Sequence, residues 1–268
     1  MKRNKAVYSK WRKANLLSKH EVLRWFVPPT EIMTPSSLQR MLRKYNTVFV
    51  KPDVGALGRG VIQVKRMKKR RGATKYYFRI HEDAKVTFVQ TFAALYNHLR
   101  TRAGGRRYVI QKGISLIKKN DKPIDFRIVV QKNLQRKWEV TGMIARVAHP
   151  QKVITNGSRG GRVLPIERVL AQYSRHRADQ KRVLTTLHHL ALRTAKQLGK
   201  SFPAQFEFGL DVAMTAHLKL WILEVNSKPD PRPFVKLKNQ RPLRRMVKYG
   251  TFYGRKYNLV PKYKQKTV

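Results

Sequence analysis

Oxygen-bearing side chains interrupt an apolar stretch near the end of the sequence. In "LWILEVN", residues 220–226, most residue types predict a buried strand, yet Glu224 and Asn226 stand within it. Successive side chains of a strand point to opposite faces, so these two share one face. If "EFGLDVAM" pairs with this strand through a turn near residues 216–218, Asp211 lies opposite or diagonal to Glu224. Two carboxylates and an amide oxygen suit Mg2+ or Mn2+, which bind together with substrate phosphates.

A second interpretation of these acids requires no metal. A buried carboxylate without a partner is costly, and the sequence holds 60 Lys and Arg residues against 14 Asp and Glu residues. Asp211 and Glu224 could instead be strand carboxylates that pair with arginine side chains. The sequence leaves both interpretations open.

A glycine-rich loop follows an earlier predicted strand. "KPDVGALGRG" places Gly55, Gly58 and Gly60 after a strand that ends in Lys51. Glycines let backbone N–H groups approach phosphate oxygens, and a lysine supplies a point charge. The loop is not a P-loop, because no G-K-[ST] follows, and it links two strands, unlike a dinucleotide-binding fingerprint. A phosphate lid and a flexible hairpin loop both fit the pattern.

Arginines form the third group of candidate residues. Arg127 in "DFR" and Arg146 in "ARV" are predicted on neighbouring strands, and the glycine-rich "TNGSRGG" adds Asn156 and Arg159. Guanidinium groups bind phosphate through two hydrogen bonds and can stabilise the charge on a transferred phosphoryl group. Because arginine is common in this chain, the grouping carries the prediction rather than any single residue.

Composition limits the class of protein. The net charge of +46 creates a field for nucleic acid, phosphorylated metabolites, acidic polypeptides or anionic surfaces, unless it is a basic surface without a dedicated partner. The absence of cysteine excludes disulfides, cysteine nucleophiles and thiolate metal sites, and is typical of an intracellular enzyme. No apolar run approaches the roughly 18 residues of a membrane span, and the basic start lacks the apolar region of a secretory signal.

The elements that must position these residues predict an α+β chain with two lobes. Residues 1–45 are predicted as a helical segment, 46–120 and 121–234 as two α+β subdomains, and 235–268 as a basic, tyrosine-rich tail. A helical period covers residues 176–198, and Gly199 is predicted to end that helix. The tyrosines of the tail could stack on bases or anchor the tail on the body.

The order of these motifs resembles the ATP-grasp superfamily and, more narrowly, the YheC/YheD family, which is described as endospore coat-associated. The stretches that carry the resemblance run from about residue 8 to residue 229, and they are "YSKW", "PPT", "VFVKPDVGALGRGVIQV", "YVIQKGI", "DFRIVVQKN", "WEVTGMIARVA", "TNGSRGG" and "EFGLDVAM…WILEVNSKP".

The resemblance implies an ATP-grasp fold, in which two α+β subdomains clamp ATP. Only about nine residues precede Lys10, so a full N-terminal pre-ATP-grasp domain is expected to be missing. The implied phosphate contacts are Lys10, Lys51 and the loop with Gly55, Gly58 and Gly60, and the implied adenine contacts are Gln111, Lys112 and Ile114. The implied ligands of one or two Mg2+ ions are Asp211, Glu224 and Asn226. The residues implied to face the transferred phosphate are Arg127, Arg146, Asn156 and Arg159.

The resemblance also implies a carboxylate–amine ligase, in which ATP activates a carboxylate as an acyl phosphate that an amine attacks. We expect an acidic peptide, amino acid or other acidic small molecule as the substrate. One alternative is a kinase of a hydroxyl on a polyanionic acceptor, and another is a basic protein that binds the spore coat, nucleic acid or other polyanions non-specifically. The expected location is the cytoplasm, with an association with the spore coat implied by the resemblance.

Overall fold

The computed structural model describes residues 5–56, 58–68, 76–148 and 162–259. These residues form two six-stranded antiparallel sheets with helices packed on them, which confirms the predicted α+β class. Asn156 and Arg159 lie outside the described residues, as does the end of the tail from residue 260.

The elements follow one another with short connections. The helices of the described residues are α1 (Lys10–Ser18), α2 (Pro35–Lys44), α3 (Phe92–Ala103), α4 (Ile166–Tyr173), α5 (Arg177–Ser201), α6 (Arg232–Val235) and α7 (Arg241–Phe252), with 3-10 helices at Lys5–Tyr8 and Leu23–Phe26. The strands are β1 (Thr30–Ile32), β2 (Thr47–Pro52), β3 (Ile62–Lys68), β4 (Tyr76–Glu82), β5 (Lys85–Val89), β6 (Tyr108–Lys112), β7 (Lys118–Lys119), β8 (Lys122–Lys132), β9 (Trp138–Val147), β10 (Arg162–Leu164), β11 (Glu207–Met214) and β12 (Leu220–Asn226).

The first sheet has the strand order β1-β6-β2-β3-β4-β5. Its alternation is visible in β2, where Val48 and Val50 are fully buried against α2 and α3 while Lys51 lies on the opposite face. The apolar face therefore makes the core of one lobe, and the other face is free to line a cleft.

The second sheet has the order β10-β9-β8-β11-β12, with β7 paired to β8. One face packs on α1, α4 and α5 in the largest hydrophobic core, which contains Phe126 of β8 and Phe208 of β11. The other face carries Val129 and Ile144, which pack on Phe234 and Met246 of the C-terminal helices. Helices thus cover parts of both faces, and the remaining part bears the polar residues described below.

The helix predicted over residues 176–198 is α5, but the predicted stop at Gly199 is wrong. The helix continues to Ser201 because Gly199 is a packing position rather than a cap. A Cβ at Gly199 would lie 3.1 Å from Cζ2 of Trp138 on β9, so the missing side chain lets the helix approach the sheet.

The N-terminal residues contribute to both lobes. Helix α1 packs on α5 and β12 of the second lobe, whereas β1 pairs with β6 and α2 packs on the first sheet. The chain therefore crosses from one lobe to the other within the segment predicted as helical.

Three tyrosines of the tail contact the body. Tyr249 Oη donates to Glu139 Oε2 at 3.0 Å, Tyr253 Oη donates to the carbonyl of Asn133 at 2.8 Å, and Tyr257 contacts the side chain of Gln131. These contacts favour the interpretation in which the tail is anchored on the body.

Candidate active site

The hairpin of β11 and β12 places two carboxylates side by side. Asp211 is the direct partner of Glu224, which confirms the predicted register. A β-bulge follows, because Val212 pairs with Ile222 and leaves Leu223 outside the ladder. The backbone carbonyl of Leu223 is consequently available to side chains of the other lobe.

Two side chains of the first sheet use that carbonyl. Gln111 Nε2 lies 3.3 Å and Lys51 Nζ lies 3.5 Å from the oxygen of Leu223, and Lys51 Nζ donates to Gln111 Oε1 at 2.7 Å. The strand that carries Glu224 is thereby joined to the strands that carry Lys51 and Gln111, and the two lobes meet at the candidate site.

Asp211 is surrounded by positive charge. Its Oδ1 atom lies 2.8 Å from Arg127 Nε and 2.9 Å from Arg146 Nη2, and its Oδ2 atom accepts from Asn226 Nδ2 at 3.4 Å. Arg146 also donates through Nε to Asp125 Oδ1 at 2.8 Å. The structure therefore brings Asp211 and Asn226, two of the predicted metal ligands, together with Arg127 and Arg146. The contacts of Asp211 in this structure are those of the arginine-paired interpretation.

Glu224 faces lysines instead. Lys10 Nζ lies 3.6 Å from Glu224 Oε1 and donates to the carbonyl of Gly55 at 2.9 Å, so it links the acid to the glycine loop. Burial alone would raise the pKa of Glu224, but the attraction of Lys10, Lys51, Lys13 and Arg127 outweighs it and lowers the pKa below its ordinary value. Glu224 is therefore ionised at neutral pH.

Two of these lysines have lowered pKa values. Burial lowers the pKa of Lys51 and of Lys13 to about 8 in each case, with the attraction of Glu224 only partly opposing the shift. Lys10 lies close enough to add to the effect through like-charge repulsion. Three lysines around one carboxylate leave a surplus of positive charge, which an anion such as a phosphate would neutralise.

A cleft of about 690 Å³ opens between the lobes beside these residues. Its walls include the predicted site residues Lys51, Gln111, Lys112, Ile114, Asp211 and Glu224. The ammonium group of Lys112 lies over the rings of Tyr45 and Trp221, 5.1 and 5.2 Å from their centroids. The cleft is large enough for a nucleotide-sized ligand.

The glycine loop lies next to Lys10. Gly58 and Gly60 have φ angles of 68° and 71°, which are in the left-handed region that glycine adopts without strain. A side chain at Gly60 would also meet Tyr108 Oη at 3.0 Å. These two positions therefore require glycine for backbone reasons, whether or not the loop contacts a phosphate.

Three residues of the site were not predicted from the sequence. Lys13 lies one helical turn after Lys10 and is 4% exposed, and its Nζ donates to Ser227 Oγ at 3.4 Å. Asp53 accepts from Ser9 Oγ at 2.9 Å and from the backbone N–H of Trp11 at 2.8 Å. Asp125 holds Arg146, as described above. The available signals were the i, i+3 spacing of the two lysines and the acids in "KPD" and "DFR".

The oxygen donors of the site determine which metal ion would fit it. Among the described residues, no cluster of three or more His, Cys, Asp or Glu side chains has the arrangement of a metal site. Two opposed carboxylates and the amide of Asn226 nevertheless fit Mg2+, because this ion usually takes one or two carboxylates and completes its shell with water and substrate phosphates. The lowered pKa of Glu224 supplies the ionised ligand that such a site needs.

Comparison with known proteins identifies the family. A model of the family described as YheC/D-like ATP-grasp matches residues 2–255. The chain belongs to this family. The resemblance that the motifs suggested is confirmed, and the two-lobed α+β architecture is an ATP-grasp fold.

Two relatives show the extent of the sequence similarity. The chain is 29% identical over 234 residues to endospore coat-associated protein YheD of Bacillus subtilis (strain 168), covering 84% of this chain and 49% of YheD. It is 25% identical over 229 residues to endospore coat-associated protein YheC of the same strain, covering 85% of this chain and 61% of YheC. The chain thus spans less than two thirds of either relative.

The crystal structure of D-cycloserine synthetase DcsG is similar with a TM-score of 0.51 at 13% identity, over 84% of this chain and 64% of that chain. At this identity the likeness concerns the fold alone.

Among the helices of the described residues, none is long and apolar enough to cross a bilayer.

Proposed function

We propose that this ATP-grasp chain is an ATP- and Mg2+-dependent ligase, which activates a carboxylate as an acyl phosphate for attack by an amine. The observation that carries the proposal is the pairing of Asp211 with Glu224 at the edge of a cleft that Lys51 also lines. Like charges at directly opposed strand positions destabilise a hairpin, and a bound cation would offset that cost.

The lysines and the glycine loop would bind the phosphates of ATP. Lys51 supplies a charge fixed by Gln111, and Lys10 supplies one fixed by the carbonyl of Gly55. Gly55, Gly58 and Gly60 would cover the phosphates, and Gln111, Lys112 and Ile114 would lie along the adenine. The cation–π contacts of Lys112 hold its side chain against one wall of the cleft.

Asp211, Glu224 and Asn226 would hold Mg2+, whose charge, when it is bound, stabilises the phosphate oxygens during transfer. Arg127 and Arg146 would release part of their contact with Asp211 to the transferred phosphoryl group. Asn156 and Arg159 are proposed to assist them, although both lie outside the described residues. Positioning and charge stabilisation supply most of the catalysis in phosphoryl transfer, so the chain needs no nucleophilic side chain of its own.

The net charge of +46 supports an acidic peptide, amino acid or other acidic small molecule as the acceptor. The same charge favours a second candidate, phosphorylation of a hydroxyl on a polyanionic acceptor. Hydroxylamine separates the two, since it traps an acyl phosphate and leaves a phosphate ester intact. We further propose that the chain works inside the cell and shares the coat association named for YheC and YheD.

The test is release of ADP and phosphate across a panel of acids and amines with Mg2+ present. We expect release that depends on a carboxylate and an amine together. Glu224→Gln should abolish it, whereas the control Glu167→Gln, which changes an exposed acid on α4, should not. Full turnover by Glu224→Gln would contradict the metal assignment. Release of ADP without free phosphate, with a hydroxyl acceptor and no carboxylate present, would favour the kinase.

A further inference from the structure

The loop that follows the proposed metal ligands is held by the N-terminal segment on one side and by the tail on the other. We call residues 227–230 the rim loop; it begins directly after Asn226 at the end of β12. On one side, Ser227 Oγ donates to the carbonyl of Val7 at 2.7 Å, and Lys13 Nζ donates to the same hydroxyl at 3.4 Å. The N-terminal segment therefore fixes the first residue of the rim loop.

The tail fixes the other part of the rim loop through Arg255. This guanidinium donates through Nη2 to the carbonyl of Pro229 and through Nη1 to Glu207 Oε1 at the start of β11. The side chains of Arg255 and Glu207 are only 10% and 3% exposed, so solvent screens the pair weakly. The backbone N–H of Arg255 donates to the carbonyl of Gly250 at 2.8 Å, which ties the residue to the end of α7.

Pro229 packs beside residues of the proposed phosphate and metal site. A Cβ placed on Gly209 would lie 2.6 Å from Pro229 Cβ and 3.0 Å from Arg127 Nη1, so Pro229 and Arg127 both occupy the space beside this glycine. Gly209 is also the strand partner of Asn226. A shift of Pro229 would therefore disturb the packing beside Arg127 and the strand end that carries Asn226.

We propose that Arg255 is a positioning residue of the active site, which acts through the rim loop on Arg127 and Asn226. The tail is then part of the working site and not only an anchored extension. This inference rests on the proposed function, because it assigns Arg255 a role in the binding of nucleotide with Mg2+.

The chain offers a matched control. Arg245, on the same tail, donates through Nη1 to Glu139 Oε1 at 2.9 Å and so ties the tail to β9 rather than to the rim loop. Both arginines dock the tail on the sheet, but of the two only Arg255 donates a hydrogen bond to the carbonyl of Pro229. Arg255→Ala and Arg245→Ala therefore separate the docking of the tail from the positioning of the rim loop.

The experiment measures the affinity for ADP by calorimetry, with and without Mg2+, in the full chain. Mg2+ should raise the affinity for ADP about tenfold less in Arg255→Ala than in the unaltered chain. This is the effect of a residue that supports a metal ligand without binding the metal. Arg255→Lys should restore part of the gain, and Arg245→Ala should keep all of it. The thermal midpoint is recorded for each variant, so that a general loss of stability is seen separately.

A normal Mg2+ gain in Arg255→Ala would overturn the inference, and so would an equal loss in Arg245→Ala. If Arg255→Ala does not fold, the same comparison between Arg255→Lys and Arg245→Lys decides. If the unaltered chain does not bind ADP with Mg2+, the proposed function fails. Amide hydrogen exchange of the ligand-free chain then decides the inference: faster exchange at residues 224–230 in Arg255→Ala than in Arg245→Ala supports it, and equal exchange overturns it.

Discussion

Asp211 lies directly across the β11–β12 hairpin from Glu224, yet the two carboxylates have different partners. Arg127 and Arg146 contact Asp211, whereas Lys10 contacts Glu224. Arginines place planar guanidinium groups on the inner acid, and lysines place compact point charges around the acid nearer the glycine loop. The difference leads to separate predictions for the two sides of the site.

Replacing Asp211 should lower the stability of the folded chain. Asp211→Asn should lower the free energy of unfolding by about 3–5 kcal/mol without ligand, because it leaves the buried Arg127 without its ion-pair partner, whereas Arg146 keeps Asp125. Urea denaturation measures the change. Glu31→Gln, which breaks the exposed pair with Arg40, is the control and should cost about 1 kcal/mol or less. Equal stability of Asp211→Asn and the unaltered chain would contradict the network.

Replacing Lys13 should have the opposite effect on stability. Burial lowers the pKa of Lys13 from 10.5 to about 8, so the folded chain binds its proton less well than the unfolded chain does. At pH 7 this disfavours folding by up to about 3 kcal/mol, and Lys13→Met should recover much of that amount. If the lysine serves the phosphates, the same variant binds ADP more weakly, as calorimetry would show.

The pH dependence of stability gives an independent check on Lys13. Between about pH 8 and pH 10.5 the unfolded chain holds a proton that the folded chain has released, so stability rises with pH across this window. Lys13→Met should flatten the rise, and the part that remains should come largely from Lys51, whose pKa is also about 8. An unchanged slope in the variant would rule out the titration of Lys13 as the cause.

Asp53 is expected to set the position of Lys10. Asp53→Ala removes the acceptor for Ser9 Oγ and for the backbone N–H of Trp11, and also the ion pair with Arg107. The start of α1 should therefore loosen and the affinity for ADP should fall. The loss of these buried hydrogen bonds should also cost about 2 kcal/mol or more of stability. Asp53→Asn keeps an acceptor oxygen and should retain more affinity than Asp53→Ala; the reverse order in calorimetry would disprove the positioning role.

The docking of the tail depends on a close approach at Gly142. A Cβ there would lie 2.1 Å from Met246 Cε of α7 and 2.6 Å from Phe234 Cε1 of α6, both of them buried core residues. Gly142→Ala should therefore destabilise the chain by about 1–3 kcal/mol through overpacking. Gly55→Ala, where the nearest atom is 3.6 Å away, is the control in thermal denaturation and should leave stability nearly unchanged.

The sequence by itself determined the features that depend on local periodicity. Apolar, β-branched and aromatic residue types predicted the strands. The turn near residues 216–218 was enough to place Asp211 opposite or diagonal to Glu224, because a hairpin pairs residues at equal distances from its turn. The order of the motifs was enough to indicate the ATP-grasp family.

Only the tertiary structure decided which distant groups share the site. Lys51 and Leu223 are 172 positions apart, and their contact exists because two lobes meet and a bulge frees one carbonyl. Gly199 was predicted as a stop, but Trp138 on another strand made it a packing position inside α5. The burial of Lys13 and the attachment of Arg255 to the rim loop likewise depend on packing between segments far apart in sequence. Periodicity records which face a residue occupies, but the partner it meets there depends on how the sheets and helices pack together.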